Sequence, residues 1–171
     1  HAFHVAMSGR PGPVVLALPE DILSSMADVA DSTPANPARQ TVSQNAVAEV
    51  IDRLKVARNP MVIVGGGGWS DQAAKDLGSF AAALGLPVGT SFRCQDYIDN
   101  RHPNYVGDVG IAPNPELATL VAKSDCILVL GARLGEMTSG GYELFDTPNP
   151  RQKIIHIHAD PNEIGRVYRP E

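Results

Sequence analysis

The chain has 171 residues, 43% of them hydrophobic and 5% aromatic, with a formal net charge of -5. That is the length of one globular domain with an appendage, enough to bury a sizeable core, and the negative balance argues against a nucleic-acid partner, which needs clustered Lys and Arg. No stretch approaches the roughly 18 apolar residues of a membrane span, and no basic start with an apolar core marks a signal peptide.

In chain order, residues 1–8 read as the tail of a helix, "GRPGP" as a turn, and "VVLAL" (14–18) as a short strand of the fully buried type. Two elements cannot bury themselves, and the first residue is not Met. Residues 1–23 are therefore expected to be the end of a domain that lies elsewhere. An unpartnered apolar strand is an aggregation hazard, so this piece should be disordered, docked on a neighbouring chain or paired through its edge. Residues 24–40, "SSMADVADSTPANPARQ", are low in large apolar residues and carry two prolines; they read as a linker.

From Thr41 to the last residue, 171, the pattern is regular. Val47, Val50, Ile51 and Leu54 recur at helical spacing, and Thr41 with Gln44 fits a capping box. "PMVIVG" is a strand. "SDQAAKDLGSFAAALG" is a helix with Ala74, Leu77, Ala81 and Leu84 inward, Ser70 as N-cap and Gly85 as stop. "LPVGT" is a second strand, followed by a long loop. "NPELATLVAKS" is a helix with Asn114 as N-cap and Pro115 at its first position. "DCILVLGARL" and "KIIHIH" are strands, and "DPNEIGR" opens a last helical turn with Asp160 capping and Glu163 placed to complete the box. Strands that are continuous apolar runs, alternating with helices, predict an α/β domain: a doubly wound parallel sheet, Rossmann-like, of the NAD/FAD-binding type.

Cys126, inside "CILVLG", reads as a core residue, and the two cysteines together fit a reducing, cytoplasmic setting. "MVIVGGGGWSDQ" joins a strand to a helix through four glycines, yet the dinucleotide pattern G-x-G-x-x-G does not complete. From Gly65 it runs Gly65, Gly67, Ser70; from Gly66 it runs Gly66, Gly68, Asp71. The second strand ends without the carboxylate that grips a ribose. Two readings remain for the run: an anion-accepting turn at a helix N-terminus, or a tight turn that lets helix and strand pack closely. His156 and His158 alternate on a strand and should share a face, but lack a third ligand of suitable spacing for a metal. Arg133 follows the strand "ILVLGA" at the edge where open α/β sheets bind ligands. It suits bidentate phosphate contact or a surface ion pair.

"GRPGPVVLALPEDIL" resembles the end of the pyrimidine-binding domain of thiamine-diphosphate-dependent enzymes of the acetolactate synthase and benzaldehyde lyase group. "RNPMVIVGGGG", "SDCILVLGARLGE" and "KIIHIHADPNEIGR" resemble that group's central domain, in the same order and spacing. The resemblance implies a parent enzyme that makes or breaks a carbon–carbon bond next to a carbonyl, using thiamine diphosphate held by magnesium. It implies partners in the other domains of the same polypeptide and a homo-oligomer, dimer or tetramer. The activating glutamate and the magnesium-binding Gly-Asp-Gly motif belong to the family's other two domains. This chain alone is thus expected to hold neither thiamine diphosphate nor magnesium and to be inert. A free-standing nucleotide-binding module is the alternative, against which "VVLALP" speaks.

In flavin-containing members the central domain holds FAD structurally. Matched motif by motif, its contacts fall at Gly66, Gly67, Thr90, Ser91, Arg133 and His158. The chain departs from those members twice: "HIHAD" puts His158 where they have an acid, and "GDVG" (107–110) stands where they have G-M-H-G. Losing the acid removes an acceptor for a ligand hydroxyl. The candidates are then FAD, ADP, a nucleotide-bearing CoA substrate, or an empty vestigial site, with weak ADP-type binding expected over tight FAD.

Overall fold

The computed structural model describes residues 1–36 and 40–171; part of the expected linker, residues 37–39, lies outside the described residues. The chain divides into two compact units, His1–Thr41 and Val42–Glu171.

The first unit holds two short helices, α1 (Ala2–Met7) and α2 (Glu20–Ser24), neither with a buried residue. Between them Val14–Leu18 forms no ladder, and Val15 is 89% exposed. The expected strand is therefore absent. A strand's backbone groups are satisfied only by a neighbouring strand, and no described segment pairs with this one.

The second unit begins with α3 (Gln44–Val56), whose N-cap is Ser43: its hydroxyl accepts from the Ala46 amide at 3.2 Å. The cap thus lies two residues beyond the expected Thr41. The helix meets the sheet through its C-terminal half, so Leu54 is buried, Val50 and Ile51 are partly covered, and Val47 stays 46% exposed. Next come β1 (Pro60–Val64) and α4 (Asp71–Leu84). Ser70 caps α4 by accepting from the Ala73 amide, and Gly85 ends it in the left-handed region at φ +63°, both as read from the residue types.

Beyond β2 (Val88–Thr90) the expected long loop contains a further strand, β3 (Tyr105–Asp108), preceded by a short 3-10 turn at Gln95–Tyr97. Then follow α5 (Pro115–Lys123), capped by Asn114, β4 (Cys126–Leu130) and β5 (Lys153–Ile157). Asp160 caps a closing 3-10 turn at Pro161–Glu163.

All pairings are parallel, in the order β3-β2-β1-β4-β5. Strand side chains alternate between faces, and each face builds its own core. Met61, Ile63, Ile127, Val129 and Ile154 face Leu117 and Val121 of α5, together with Phe145 and Tyr168. Val62, Val64, Cys126, Leu128 and Ile155 face Leu54 of α3 and Leu77 and Ala81 of α4. This is the doubly wound sheet that the apolar runs predict.

Candidate functional site

The chain leaves β1 toward β2 and β3 on one side, whereas β4 and β5 lie on the other. The loops after β1 and β4 therefore diverge, and open α/β sheets bind ligands in the crevice left at such a switch point. Both loops start on ladder bonds: Gly65 N–H donates to Leu130 O (3.0 Å) and Gly131 N–H to Ile157 O (2.8 Å).

The four glycines after β1 divide into two pairs. A Cβ on Gly65 would lie 2.0 Å from Ser91 Oγ, and one on Gly66, at φ +77°, would lie 2.0 Å from Gly131 O. These two are required by close packing of the loops. A Cβ on Gly67 or on Gly68 would meet nothing within 4 Å. The outer half of the turn is open to a ligand. Trp69 sits against the packed half: its indole N–H donates to Gly65 O at 3.0 Å. The Tyr97 hydroxyl donates to Gly66 O. The two rings stack with centroids 5.0 Å apart and planes 23° from parallel.

Thr90 and Ser91, at the tip of β2, are buried at 0% and 6% exposure. The Ser91 amide donates to Val64 O at 2.8 Å, and Thr90 Oγ1 lies 3.5 Å from the Tyr105 hydroxyl. They form the floor beneath the turn. Beside them stands a residue the sequence reading passed over. Asp108 ends β3 in register with Thr90, accepting from the Gly110 amide (2.6 Å) and from Gln95 Nε2. A carboxylate thus lies next to the β2 tip, supplied by the neighbouring strand; only the strand pairing reveals it.

On the other side, Arg133 is ion-paired with Glu163 at 3.7 Å; the arginine side chain is 54% exposed and the glutamate 9%. Arg166 reaches the same carboxylate at 3.5 Å. Arg133 therefore makes an ion pair to a largely buried carboxylate, while its own exposure leaves it within reach of solvent.

His156 lies within β5 and His158 one residue beyond the strand's end, and the two side chains share a face as expected. His156 Nε2 lies 2.9 Å from Ala132 O, fixing the peptide just before Arg133. Burial pushes the His156 pKa down, opposed by that hydrogen bond; nearby His158 adds to the lowering and Glu163 counters it. His158 Nδ1 lies against the Asp160 backbone, 3.0 Å from its amide nitrogen and 3.1 Å from its carbonyl oxygen, which holds the ring in place. Position 158 thus presents an imidazole and no carboxylate. The two rings meet edge to face, centroids 5.8 Å apart. Among the described residues no three His, Cys, Asp or Glu side chains cluster to hold a metal ion.

The crevice thus joins an open glycine turn, a guanidinium and an imidazole, a set suited to an anion. A concavity along α3 is lined by Asn45, Ala48, Glu49, Asp52, Arg53 and Val56 and includes neither the glycine turn nor Arg133 nor His158.

Comparison with known proteins bears on the whole arrangement. A family model described as thiamine pyrophosphate enzyme, central domain, matches residues 47–171. The acetolactate synthase large subunit of Corynebacterium glutamicum is 29% identical over 99% of this chain and 27% of its own length. The acetolactate synthase isozyme 2 large subunit of Escherichia coli is 30% identical over 97% of this chain and 30% of its own. The chain spans about three tenths of the length of the curated relatives it matches. Among solved structures, benzoylformate decarboxylase from Polynucleobacter necessarius shares the fold with a TM-score of 0.70 over 94% of this chain, at 24% identity.

Proposed function

The chain belongs to the thiamine pyrophosphate enzyme family as a central domain, and from that premise we propose that it forms the non-catalytic middle of an acetolactate synthase-like enzyme. The full-length protein makes or breaks a carbon–carbon bond next to a carbonyl. Thiamine diphosphate supplies the carbanion chemistry when bound, with magnesium holding its diphosphate, and both are held by the other domains of the same polypeptide. The parent is a homo-oligomer, dimer or tetramer. Residues 1–23 are the end of its pyrimidine-binding domain, residues 24–40 the linker and residues 41–171 the central domain. No described helix is long and apolar enough to cross a membrane, and two free, buried cysteines support a cytoplasmic setting.

The second part of the proposal concerns the crevice. It holds the diphosphate of a nucleotide, ADP in preference to FAD. One observation carries this: Gly67 and Gly68 are open at a switch point that also bears Arg133. The residues present fit a diphosphate: Arg133 offers a paired N–H fork, and His158 stands in place of an acid that would repel it. Gly66, Thr90 and Ser91 hold the floor, while Gly67, Arg133 and His158 face the ligand. His158 disfavours FAD because the carboxylate that would accept from a ligand hydroxyl, as the resemblance to flavin-binding members implies, is missing here.

Thermal shift of the 171-residue chain with ADP, FAD, NAD and CoA tests the crevice. At about 100 times its dissociation constant a ligand stabilises the fold by roughly 2.7 kcal/mol. ADP should give the largest shift, and Arg133→Ala should abolish it. Since Arg133 is more than half exposed, that substitution should cost the ligand-free fold less than about 1 kcal/mol. Absence of any nucleotide shift at millimolar concentration would refute nucleotide binding. The enzymatic part is tested on the full-length protein with thiamine diphosphate, magnesium and pyruvate or benzaldehyde, where cofactor-dependent turnover is expected.

A further inference from the structure

We propose that Trp69 and Tyr97 are positioning residues: an aromatic clasp that fixes the glycine turn and presents the Gly67 amide to the ligand. Three contacts support it. The indole N–H donates to Gly65 O, the phenol O–H donates to Gly66 O, and the two rings are stacked against each other. Consecutive carbonyls of the turn are thereby held by consecutive members of one aromatic pair. Trp69 also spans the two loops of the crevice, its Nε1 lying 3.5 Å from where a Cβ on Gly131 would stand. Tyr97 comes from the 3-10 turn beyond β2, so the clasp ties the exit of β1 to the exit of β2.

The consequence follows from peptide geometry. The peptides of the turn are trans and planar, with each N–H antiparallel to its C=O. Holding Gly65 O and Gly66 O toward the rings turns the amides of Gly66 and Gly67 away from them. Of these two, Gly66 is packed against Gly131, and Gly67 is open. The Gly67 N–H is the donor left for a ligand. A flexible glycine run would have to be ordered at the moment of binding; a clasped one is already in place. Burial, reinforced by Cys94, pushes the Tyr97 phenol pKa up, so the hydroxyl keeps the proton it donates.

The clasp also bears on which part of a ligand is recognised. Trp69 and Tyr97 spend a face on each other, so neither offers that face to a nucleobase. What the clasp itself presents to a ligand is the Gly67 amide, a donor for a phosphate oxygen. This rests on the nucleotide reading above, while the clasp itself stands without it.

The experiment uses Tyr97→Phe in the 171-residue chain, which removes one hydroxyl and retains the ring. Backbone 15N relaxation without ligand reads the turn directly. In the native chain Gly66–Gly68 should be as ordered as β1, and in the variant their heteronuclear NOE should fall while β1 stays ordered and the melting temperature drops by no more than about 5 °C. A turn equally rigid in both proteins overturns the clasp. The ligand arm follows the fluorescence of Trp69, the single tryptophan of the chain, during titration with inorganic pyrophosphate, ADP and GDP. The three should bind the native chain within a few-fold of one another and the variant about tenfold more weakly, the scale of one hydrogen bond. Undiminished binding to a loosened turn overturns the positioning role. A clasp confirmed by relaxation with no ligand bound by the native chain refutes the nucleotide reading alone.

Discussion

A Cβ placed on Gly66 would lie 2.0 Å from the carbonyl oxygen of Gly131, and one on Gly131 would lie 2.6 Å from the carbonyl oxygen of Gly65. The loops leaving β1 and β4 thus touch through bare backbone, each at a residue with positive φ, +77° at Gly66 and +69° at Gly131. Only glycine satisfies both conditions at once.

Gly66→Ala should accordingly destabilise the fold by about 3 kcal/mol or more, combining left-handed strain with displacement of the Gly131 loop. Gly67→Ala, in open space, should stay within about 0.5 kcal/mol of the parent. Chemical denaturation of the two variants measures the difference. Equal midpoints would show that the loops do not meet as described.

Asp125 anchors the entry to the two central strands. Its carboxylate accepts from the amides of Arg58 (2.8 Å) and Asn59 (2.9 Å), just ahead of β1, while the residue itself leads into β4. The Arg58 amide is the main cause of a carboxyl pKa held below its ordinary value; burial opposes the shift and the Asn59 amide reinforces it. A depressed pKa means that the folded state binds the proton less readily than the unfolded chain does. Its stabilisation is full above the unfolded value near 3.9 and is lost as pH falls below it. Asp125→Ala should cost about 2 kcal/mol at pH 7, and Asp125→Asn part of that. The gap between parent and variant should close in melts run at progressively lower pH below 4.

His156 gives an opposite residue type with the same sign. Burial lowers its pKa in the folded state, countered in part by the bond to Ala132 O and by Glu163, with His158 adding to the lowering. The unfolded chain then takes up the proton first, so stability should decline as pH falls through about 6.5 and stop declining below the folded value. Replacing His156 by Gln, which can still donate to Ala132 O, should flatten this slope between pH 7 and 5. Tm against pH is the measurement, and a parent profile as flat as the variant's would count against a buried neutral imidazole.

What was legible in the sequence was local. "MVIV", "CILVL" and "KIIHI" announce parallel strands because both faces of the sheet are covered, so their apolar runs need no alternation. Ser70, Gly85, Asn114 and Asp160 are capping residues whose chemistry is complete within a few positions. The misses were non-local. Tyr105–Asp108 is a short edge strand containing a glycine and only partly buried, so it lacks the apolar signature. Val14–Leu18 has that signature but no partner, and a ladder requires two strands. Within the crevice, Arg133 could be placed at the edge from its position after a strand. The division of the glycines into packed and open pairs could not be, because it depends on Gly131, and the stack depends on Tyr97. Asp108 was hidden with its strand.

The alternation of side chains across the sheet has a consequence for how substitutions combine. Met61 and Val62 are chain neighbours, yet they belong to different cores, separated by the sheet itself. Val62 and Ile155 are distant in the chain and share one core. Energetic coupling follows shared cavities and not sequence proximity. A double-mutant cycle on Met61→Ala and Val62→Ala should therefore come out near additive, within about 0.5 kcal/mol. Cycles between Val62 and partners on its own face should show larger interaction energies. The sheet would then act as a partition, letting one face accumulate changes while the other goes on holding the two loops in contact.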